Sequence, residues 1–259
     1  MTRKLITRRG LLTTAAVAAV GGVSYAAYRS LIAPNALRIL ESAEYVTLKT
    51  QRLLLSGQPL AREFSPEDMS PSFKANGTTN PDNPAYNALV QDNFSNWRLT
   101  IDGLVANPVS LSLADLKRQP QRTQTTRHDC VEGWSAIGKW TGVPLAHLLQ
   151  NAGIADTARF VVFHCADDYY EAADGSARYY ESIDLFDAFH PQTILAHTMN
   201  DNALSVAHGA PLRLRVERQL GYKHAKYVMR IEVTDRLDKI GKGKGGFWPD
   251  RGYEWYAGI

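Results

Sequence analysis

Cysteine is scarce in this chain. Cys130 and Cys165 are the two cysteines among 259 residues, which is too few for a scaffold held by disulfides. A single bridge between them remains open from the sequence. No Cys-x-x-Cys-His run for covalent haem attachment is present either, so the chain does not carry a c-type haem of its own.

The sequence also lacks a strong excess of charge of one sign. The formal net charge is +3 and the pI is near 8.8, which permits an anionic ligand without requiring one. No basic stripe with interleaved aromatic residues occurs, so we expect no nucleic acid as a partner. A hydrophobic content of 44% and a charged content of 21% are ordinary for a globular protein of one large or two small domains.

One long uncharged run, residues 11–27, lies near the N-terminus behind a basic segment. The pair Arg8-Arg9, which follows Thr7 and precedes two leucines, resembles the twin-arginine export motif of proteins that cross the membrane folded. The run is slightly shorter than the ~20 residues of a bilayer span, so cleavage is favoured over retention as a membrane anchor. The sequence predicts an export signal over residues 1–32 and a periplasmic location, with the anchored form as the alternative.

The remaining chain indicates an α+β fold with mixed sheets, short helices and long ordered loops. Strands and helices alternate without the repeating rhythm of a doubly wound sheet. Residues 33–71 are expected to form an N-terminal connector that is helical at its start, and the Pro-rich residues 65–84 an irregular loop. Strands are predicted over 97–103, 159–165, 212–217 and 227–234, and helices after Ser112 and over 143–153 and 183–189.

Residues 212–217 alternate strictly between an apolar face and a polar face that carries Arg213. Lys223, His224 and Lys226 follow around a glycine turn. Such a group of cations suits a phosphate or pyrophosphate. The alternative is an ordinary solvated basic strand edge.

Cys130 lies between ionisable residues and a glycine-aromatic turn, where a thiolate would be a nucleophile or a soft metal ligand. A thiol hydrolase needs a histidine partner, but we expect His128 to face away from Cys130 along the strand, and cysteine-protease signatures are absent. A zinc site of His128, Cys130, His164 and Cys165 lacks the usual spacing, and adjacent strand residues point apart.

The glycine-rich run over residues 241–246 contains Gly-x-Gly-x-x-Gly. The following Phe-Trp-Pro-Asp does not open a helix cleanly, and no Ser or Thr follows a lysine. The run is therefore neither a dinucleotide fingerprint nor a P-loop. We expect a flexible surface loop.

Three segments together resemble the sulfite oxidase family. Arg-His-Asp-Cys-Val-Glu-Gly-Trp-Ser (127–135) with Trp-Thr-Gly-Val-Pro-Leu (140–145) is similar to its molybdenum-cysteine segment, and residues 208–216 with 220–227 are similar to its pterin-binding stretch. The end, Gly-Tyr-Glu-Trp-Tyr-Ala-Gly-Ile (252–259), resembles the bacterial twin-arginine-exported branch, which includes the catalytic subunit of the periplasmic methionine sulfoxide reductase. The resemblance covers residues 72–259 and implies a molybdopterin-binding oxidoreductase domain there.

By this resemblance, a molybdenum ion is held by the dithiolene of molybdopterin and by the thiolate of Cys130. The implied reaction is oxygen-atom transfer or redox chemistry on a small or sulfur-containing substrate. Tyr179 falls at the position of an active-site tyrosine, with a packed strand tyrosine as the alternative. Cys165 would be a free thiol rather than part of a bridge. The pterin contacts implied by position are Asn76, Thr79, Asn80, Cys165, His208, Arg213, His224, Ala225 and Lys226, with Arg213 and Lys226 at the phosphate.

The chain departs from the sulfite enzymes at the arginines that hold their anion. The matching positions carry Ala75, Trp134 with Ser135, and Lys223, so sulfite is not the expected substrate. Electrons must reach a separate partner, such as a membrane haem protein, a cytochrome or a quinone-linked carrier, and the twin-arginine machinery is the other expected partner. A cofactor-free exported binding domain and a thiol hydrolase that depends on Cys130 are the alternative functions.

Overall fold

The computed structural model describes residues 33–169 and 177–259. The chain divides into two compact units, residues 1–57 and 58–259. In the first, α1 (Ala33–Leu54) is one continuous helix, so the helix expected only at the start of the connector runs through much of it. The predicted export signal lies outside the described residues, and no helix within the described ranges is long and apolar enough to cross a membrane.

The second unit contains one mixed sheet and one antiparallel sheet. The first has the strand order β2-β1-β10-β5-β6, in which β1 and β10 are parallel and the other pairs antiparallel. The second has the order β3-β4-β7-β8, with β9 paired to β7. The strands are β1 (Arg98–Gly103), β2 (Val109–Ser112), β3 (Arg122–Cys130), β4 (Trp134–Pro144), β5 (Phe160–Asp168), β6 (Arg178–Asp184), β7 (Ile194–Met199), β8 (Asn202–Ala203), β9 (Arg213–Arg215) and β10 (Val228–Thr234).

Short helices connect these strands, which confirms the α+β class. Ser112 caps α3 as predicted, because its hydroxyl accepts from the Asp115 amide at 3.1 Å while the Asp115 carboxylate accepts from the Ser112 amide at 2.9 Å. Gly153 ends α4 in the left-handed conformation, with φ of 69°. The helices are α2 (Pro84–Gln91), α3 (Leu113–Arg118), α4 (Leu145–Ala152) and α5 (Leu185–Ala188).

The main apolar core lies against the first sheet. Trp97, Leu99 and Phe163 are fully buried there together with Leu145 and Leu149 of α4. Each such side chain stabilises the fold by roughly 1.5–3 kcal/mol through burial. A second cluster around Trp140 fills the second sheet. These cores fix the strand ends that carry the site.

The polar face of β9 differs from the expected solvated edge. Arg213 and Arg215 are 0% exposed, and Lys223, His224 and Lys226 are also buried. The alternation over residues 212–217 correctly separates two faces, but the polar face is covered by protein. The reading as a solvated basic edge is therefore wrong.

The glycine-rich run is also more ordered than predicted. Gly245, Gly246 and Phe247 are buried, and Gly246 forms a bridge to Glu181 of β6. The Asp250 carboxylate accepts from the amides of Lys242 and Lys244 at 2.9 and 3.0 Å. The expected flexible surface loop is wrong for the second half of the run, because this carboxylate and β6 hold it.

Candidate active site

A cavity of about 290 Å³ lies where several strand ends and loops of the second unit meet. It is formed by the loop at residues 76–78, the β3–β4 turn, the ends of β5 and β6, the turn at residues 221–224 and the C-terminal segment. The lining residues are Asn76, Gly77, Thr78, Cys130, Val131, Glu132, Asp167, Tyr169, Tyr179, Tyr222, His224, Lys226, Trp248 and Tyr253.

Cys130 is the last residue of β3 and pairs with Trp134 across the hairpin. Gly133 allows this tight turn through a positive φ of 85°, and its amide donates to the Cys130 carbonyl at 2.9 Å. Burial raises the pKa of the Cys130 thiol, opposed by a backbone hydrogen bond at Glu132 and by Lys74. The protein alone therefore keeps the thiol protonated, whereas a bound metal ion would deprotonate it.

His128 shares a face with Cys130, contrary to the expectation that it faces away. Residues two apart on a strand point to the same side, and both side chains are buried along β3. The Arg215 guanidinium donates to His128 Nδ1 at 3.0 Å, so the proton of the neutral ring lies on Nε2. That Nε2 has no hydrogen-bond partner in the described part of the chain.

His224, at the cavity wall, has the same Nε2–H tautomer as His128, but its unpartnered nitrogen is the acceptor Nδ1. Its Nε2 donates to the Gln219 carbonyl at 3.0 Å, which leaves Nδ1 as a buried acceptor without a partner in the described ranges. Burial, followed by Arg215, His128 and Arg213, lowers the pKa of His224 well below its usual range. The ring is therefore neutral and offers an acceptor.

Positive charge accumulates behind the cavity. Arg213 donates from Nη1 to the His208 carbonyl at 3.0 Å, but its Nε and Nη2 lack partners among the described residues. Burial and then Arg215 lower the pKa of Arg213 to about 9. Burial and then Arg213 lower the pKa of Lys226 to about 7. Two buried cations with unused N–H groups fit an anionic ligand.

The structure brings together five of the residues expected from the sequence. Asn76, Cys130, Tyr179, His224 and Lys226 all line the cavity. The Tyr179 hydroxyl donates to the Tyr222 carbonyl at 2.5 Å, and burial raises its pKa well above the usual range. Tyr179 is thus a neutral hydrogen-bonding group at the wall.

The other expected residues lie outside the lining. Thr79 and Asn80 are exposed, and Ala225 is fully buried in the main core. His208 bonds the Phe73 carbonyl through Nε2 at 3.0 Å. Arg213 lies behind the wall through its bond to the His208 carbonyl.

Cys165 is buried in the core and forms no disulfide with Cys130, since both thiols are free. The sequence alone did not exclude a disulfide between these two cysteines, and the structure contains two free thiols instead. No group of three or more His, Cys, Asp or Glu side chains able to hold a metal occurs within residues 33–169 and 177–259. A zinc site from protein ligands alone is thus absent there.

Lys223 does not reach the cavity, although it occupies a position where sulfite enzymes carry an anion-binding arginine. It is 0% exposed and forms an ion pair with the Glu181 carboxylate at 2.6 Å. Burial raises the pKa of Glu181 to about 7 despite this lysine. The Lys223 ammonium is therefore paired with the buried Glu181 carboxylate and does not bind a ligand in the cavity.

Sequence reasoning missed Asp167 and did not single out which aromatic residues form a wall of the cavity. Asp167 follows the apolar run of β5, and a charged residue at the end of a buried strand was the available signal. Trp248 and Tyr253 stack with ring centroids 5.0 Å apart, and Tyr253 meets Tyr222 edge-on at 5.4 Å. Their signal was weaker, because aromatic residues fill cores as often as cavities.

A protein-family model described as an oxidoreductase molybdopterin binding domain matches residues 86–239, more than half of the chain. The chain belongs to this molybdopterin-binding oxidoreductase family. The predicted fold class, enzyme class and molybdopterin cofactor are thereby confirmed.

Three relatives of this molybdopterin-binding oxidoreductase are named as subunits of protein-methionine-sulfoxide reductases. A putative protein-methionine-sulfoxide reductase subunit, YedZ1, of Azospira oryzae is 38% identical over 201 residues, covering 75% of this chain and 70% of that protein. The protein-methionine-sulfoxide reductase catalytic subunit MsrP of Campylobacter jejuni is 31% identical, covering 70% and 64%. The subunit of the same name from Ralstonia nicotianae is 29% identical, covering 88% and 69%.

Among solved structures, the sulfane dehydrogenase SoxCD from Paracoccus pantotrophus is similar, with a TM-score of 0.48 and 27% identity. The match covers 54% of this chain and 38% of that one. The residues present suit the family cofactor on their own terms. The Cys130 thiol and the free imidazole acceptor of His224 line the cavity. Behind the wall lie Arg213, with unused guanidinium N–H groups, and His128, with a free imidazole N–H against the His224 ring.

Proposed function

We propose that this chain is the molybdenum-bearing catalytic subunit of an exported reductase that acts on methionine sulfoxide in proteins. The observation that carries the proposal is that the Cys130 thiol opens into a cavity lined by the buried Lys226 and backed by Arg213, whose Nε and Nη2 have no hydrogen-bond partner among the described residues. The relatives are protein-methionine-sulfoxide reductase subunits by name, and we take the proposed substrate from them.

In this proposal the Cys130 thiolate ligates molybdenum, and Arg213 with Lys226 binds the phosphate of the pterin. A soft thiolate suits this metal, and the cations match a phosphate dianion. Tyr179 offers its hydroxyl to the substrate or to the metal environment. The other proposed pterin contacts are Asn76, Thr79, Asn80, Cys165, His208, His224 and Ala225.

The bound cofactor would supply two-electron redox chemistry and accept the oxygen atom. Reduction of a sulfoxide consumes two electrons and two protons, breaks the S=O bond and yields a thioether and water. The electrons come from a separate carrier protein. The residues of this chain orient the cofactor, and Trp248, Tyr253 and Tyr222 form an aromatic wall that keeps water from the reacting sulfur.

The charges at the cavity favour a neutral substrate over sulfite. Ala75, Trp134 and Ser135 are not cations, and Lys223 is neutralised by Glu181. Two acids, Glu132 and Asp167, line the cavity. With Arg213 and Lys226 assigned to the pterin phosphate, a second anion such as sulfite would face these two acids, whereas a sulfoxide needs only hydrogen bonds and apolar contact.

The thiol hydrolase is disfavoured because the surroundings raise the pKa of Cys130. The buried Nε2 of His128 also carries its proton and so cannot accept one from the thiol. Export through Arg8-Arg9, the periplasmic location and the electron carrier remain part of the proposal, as do the domain limits at residues 32 and 71.

Cys130→Ser tests the proposal. The variant should retain pterin through the unchanged cation cluster but lose turnover of an oxidised protein substrate with a reduced dye as donor. Metal and pterin analysis of the purified chain, with X-ray absorption for the Mo–S bond, checks both parts. Cys165→Ser is the matched control and should stay active, because serine is close in size to the buried thiol and can donate to the same Phe163 carbonyl.

Two results would contradict the proposal. Wild-type protein from a molybdenum-replete host that contains neither molybdenum nor pterin would favour a cofactor-free binding domain. An unchanged Mo–S coordination in Cys130→Ser would remove Cys130 from the metal.

A further inference from the structure

Asp167 is a buried acid at the cavity. It is not among the cofactor contacts that the sequence resemblance implies. It lies at the end of β5, is 2% exposed and lines the cavity beside Lys226. The Thr78 side chain forms a hydrogen bond to its carboxylate. The other oxygen, Oδ1, has no hydrogen-bond partner among residues 33–169 and 177–259.

An unsatisfied buried acceptor is costly, so a native fold retains it where a ligand completes it. Burial raises the pKa of Asp167 to about 6, while Thr78 and Lys226 act in the opposite direction. The Oδ1 atom is therefore the part of the carboxylate that lacks an N–H or O–H donor among the described residues. Lys226 does not donate to Oδ1 in the structure, where the hydrogen bonds of its ammonium go to the carbonyls of Thr78 and Ala207.

We propose that Asp167 accepts a hydrogen bond from the N–H edge of the pterin ring and so fixes that end of the cofactor. The inference rests on the proposed function only in that molybdopterin occupies this cavity. Molybdopterin carries two different kinds of polar group. Its pyrimidine ring presents amino and ring N–H donors, and its side chain ends in a phosphate. The carboxylate matches the donors, as Arg213 and Lys226 match the phosphate.

A purely structural role for Asp167 would be to hold the loop that contains Thr78. That loop has other attachments, since the Thr78 carbonyl accepts from the Tyr227 hydroxyl at 2.9 Å and from Lys226. The Asn76 side chain also lies 3.5 Å from the Gly221 carbonyl. Removing the Thr78 hydroxyl therefore separates the loop contact from the contact to the cofactor.

The experiment compares Asp167→Ala, Asp167→Asn and Thr78→Val with the control Asp168→Asn. Asp168 is the next residue on the strand, is not in the cavity lining, and pairs with Arg178 at 2.9 Å on a half-exposed face. Pterin and molybdenum are measured per chain, and melting temperatures are compared between holoprotein and apoprotein from a host that makes no molybdopterin.

Asp167→Ala should bind the cofactor about tenfold more weakly or worse, with a smaller melting-temperature difference between holoprotein and apoprotein. Asp167→Asn keeps a neutral acceptor and should be intermediate. It carries the test if the alanine variant does not fold. Asp168→Asn should match the wild type, and Thr78→Val should lose clearly less cofactor than Asp167→Ala because the Asp167 carboxylate is still present.

Wild-type cofactor content in the folded Asp167 variants, or an equal loss in Thr78→Val, overturns the inference. Wild-type protein without cofactor overturns the proposed function instead, so the two failures are distinguishable.

Discussion

Two neighbouring arginines on β9 show how single residues define the site. Arg215 has its charge matched, because its guanidinium bonds the Glu217 carboxylate at 2.9 and 2.5 Å. Arg213 is equally buried but leaves two nitrogens without a partner in the described residues. A buried uncompensated cation is destabilising by itself. The difference identifies Arg213, not Arg215, as a group that awaits a ligand.

Arg213→Met should therefore lower cofactor retention without destabilising the apoprotein. Methionine fills similar space and removes a buried charge that has no counter-ion. Urea unfolding of the apoprotein and pterin content of the purified protein measure the two effects. Arg215→Met is the contrast, and should cost about 3–5 kcal/mol in either form because it leaves Glu217 buried and unpaired. Full cofactor content in Arg213→Met would remove this residue from the phosphate site.

At the scale of elements, the sequence predicts positions better than surroundings. Capping at Ser112 and the leucine spacing of α4 depend on local contacts, and both are confirmed. Alternation over residues 212–217 separates two faces but does not show what covers each, so the buried polar face was missed. The expectation that His128 faces away from Cys130 was wrong because it misapplied the period of a strand, in which residues two apart share a face.

The resemblance located Cys130, Tyr179 and Lys226 because their neighbours form recognisable runs. Asp167 lies in no such run. Its partners are the side chains of Thr78 and Lys226, which come from distant parts of the chain and meet it only in the folded protein. Sequence patterns within one element do not report such meetings.

The turn at Gly221 joins two elements of the site, which gives a prediction for an element. A Cβ at Gly221 would lie 2.5 Å from Nε2 of the buried His128. Gly221→Ala should displace the turn that carries His224, destabilise the fold by about 1–3 kcal/mol and lower cofactor content. Gly57→Ala is the control, since its added Cβ meets nothing within 4 Å. Equal unfolding midpoints and equal pterin content for the two variants would contradict this contact.

For the molecule as a whole, a modest net charge of +3 conceals an uneven interior. Arg213, Lys226 and the ion-paired Lys223 are buried on one side of the second unit. Lys223 is already paired, so under the proposed function the charges of Arg213 and Lys226 are the ones that an anionic cofactor would compensate, which would couple folding to cofactor binding. The same buried charges would lower the free energy of unfolding of the apoprotein and increase the affinity for an anionic cofactor.

This coupling predicts how the stability of the apoprotein depends on pH. The pKa of Lys226 is lowered to about 7 by burial and Arg213, with Asp167 opposing, whereas the unfolded lysine titrates near its usual 10.4. Between these values the unfolded chain binds more protons, so the free energy of unfolding rises with pH. Arg213, with a pKa of about 9, adds to the rise only at higher pH.

We therefore expect the apoprotein to gain stability between about pH 7 and pH 8.5. A bound phosphate would raise the pKa of Lys226 again, so the holoprotein should show a smaller rise, and Lys226→Met apoprotein should show almost none. Urea unfolding of the three forms at both pH values measures this. A slope in Lys226→Met as large as in the wild type would assign the effect to another group, and a flat or falling profile in wild-type apoprotein would mean that the pKa of this lysine is not lowered in the folded protein.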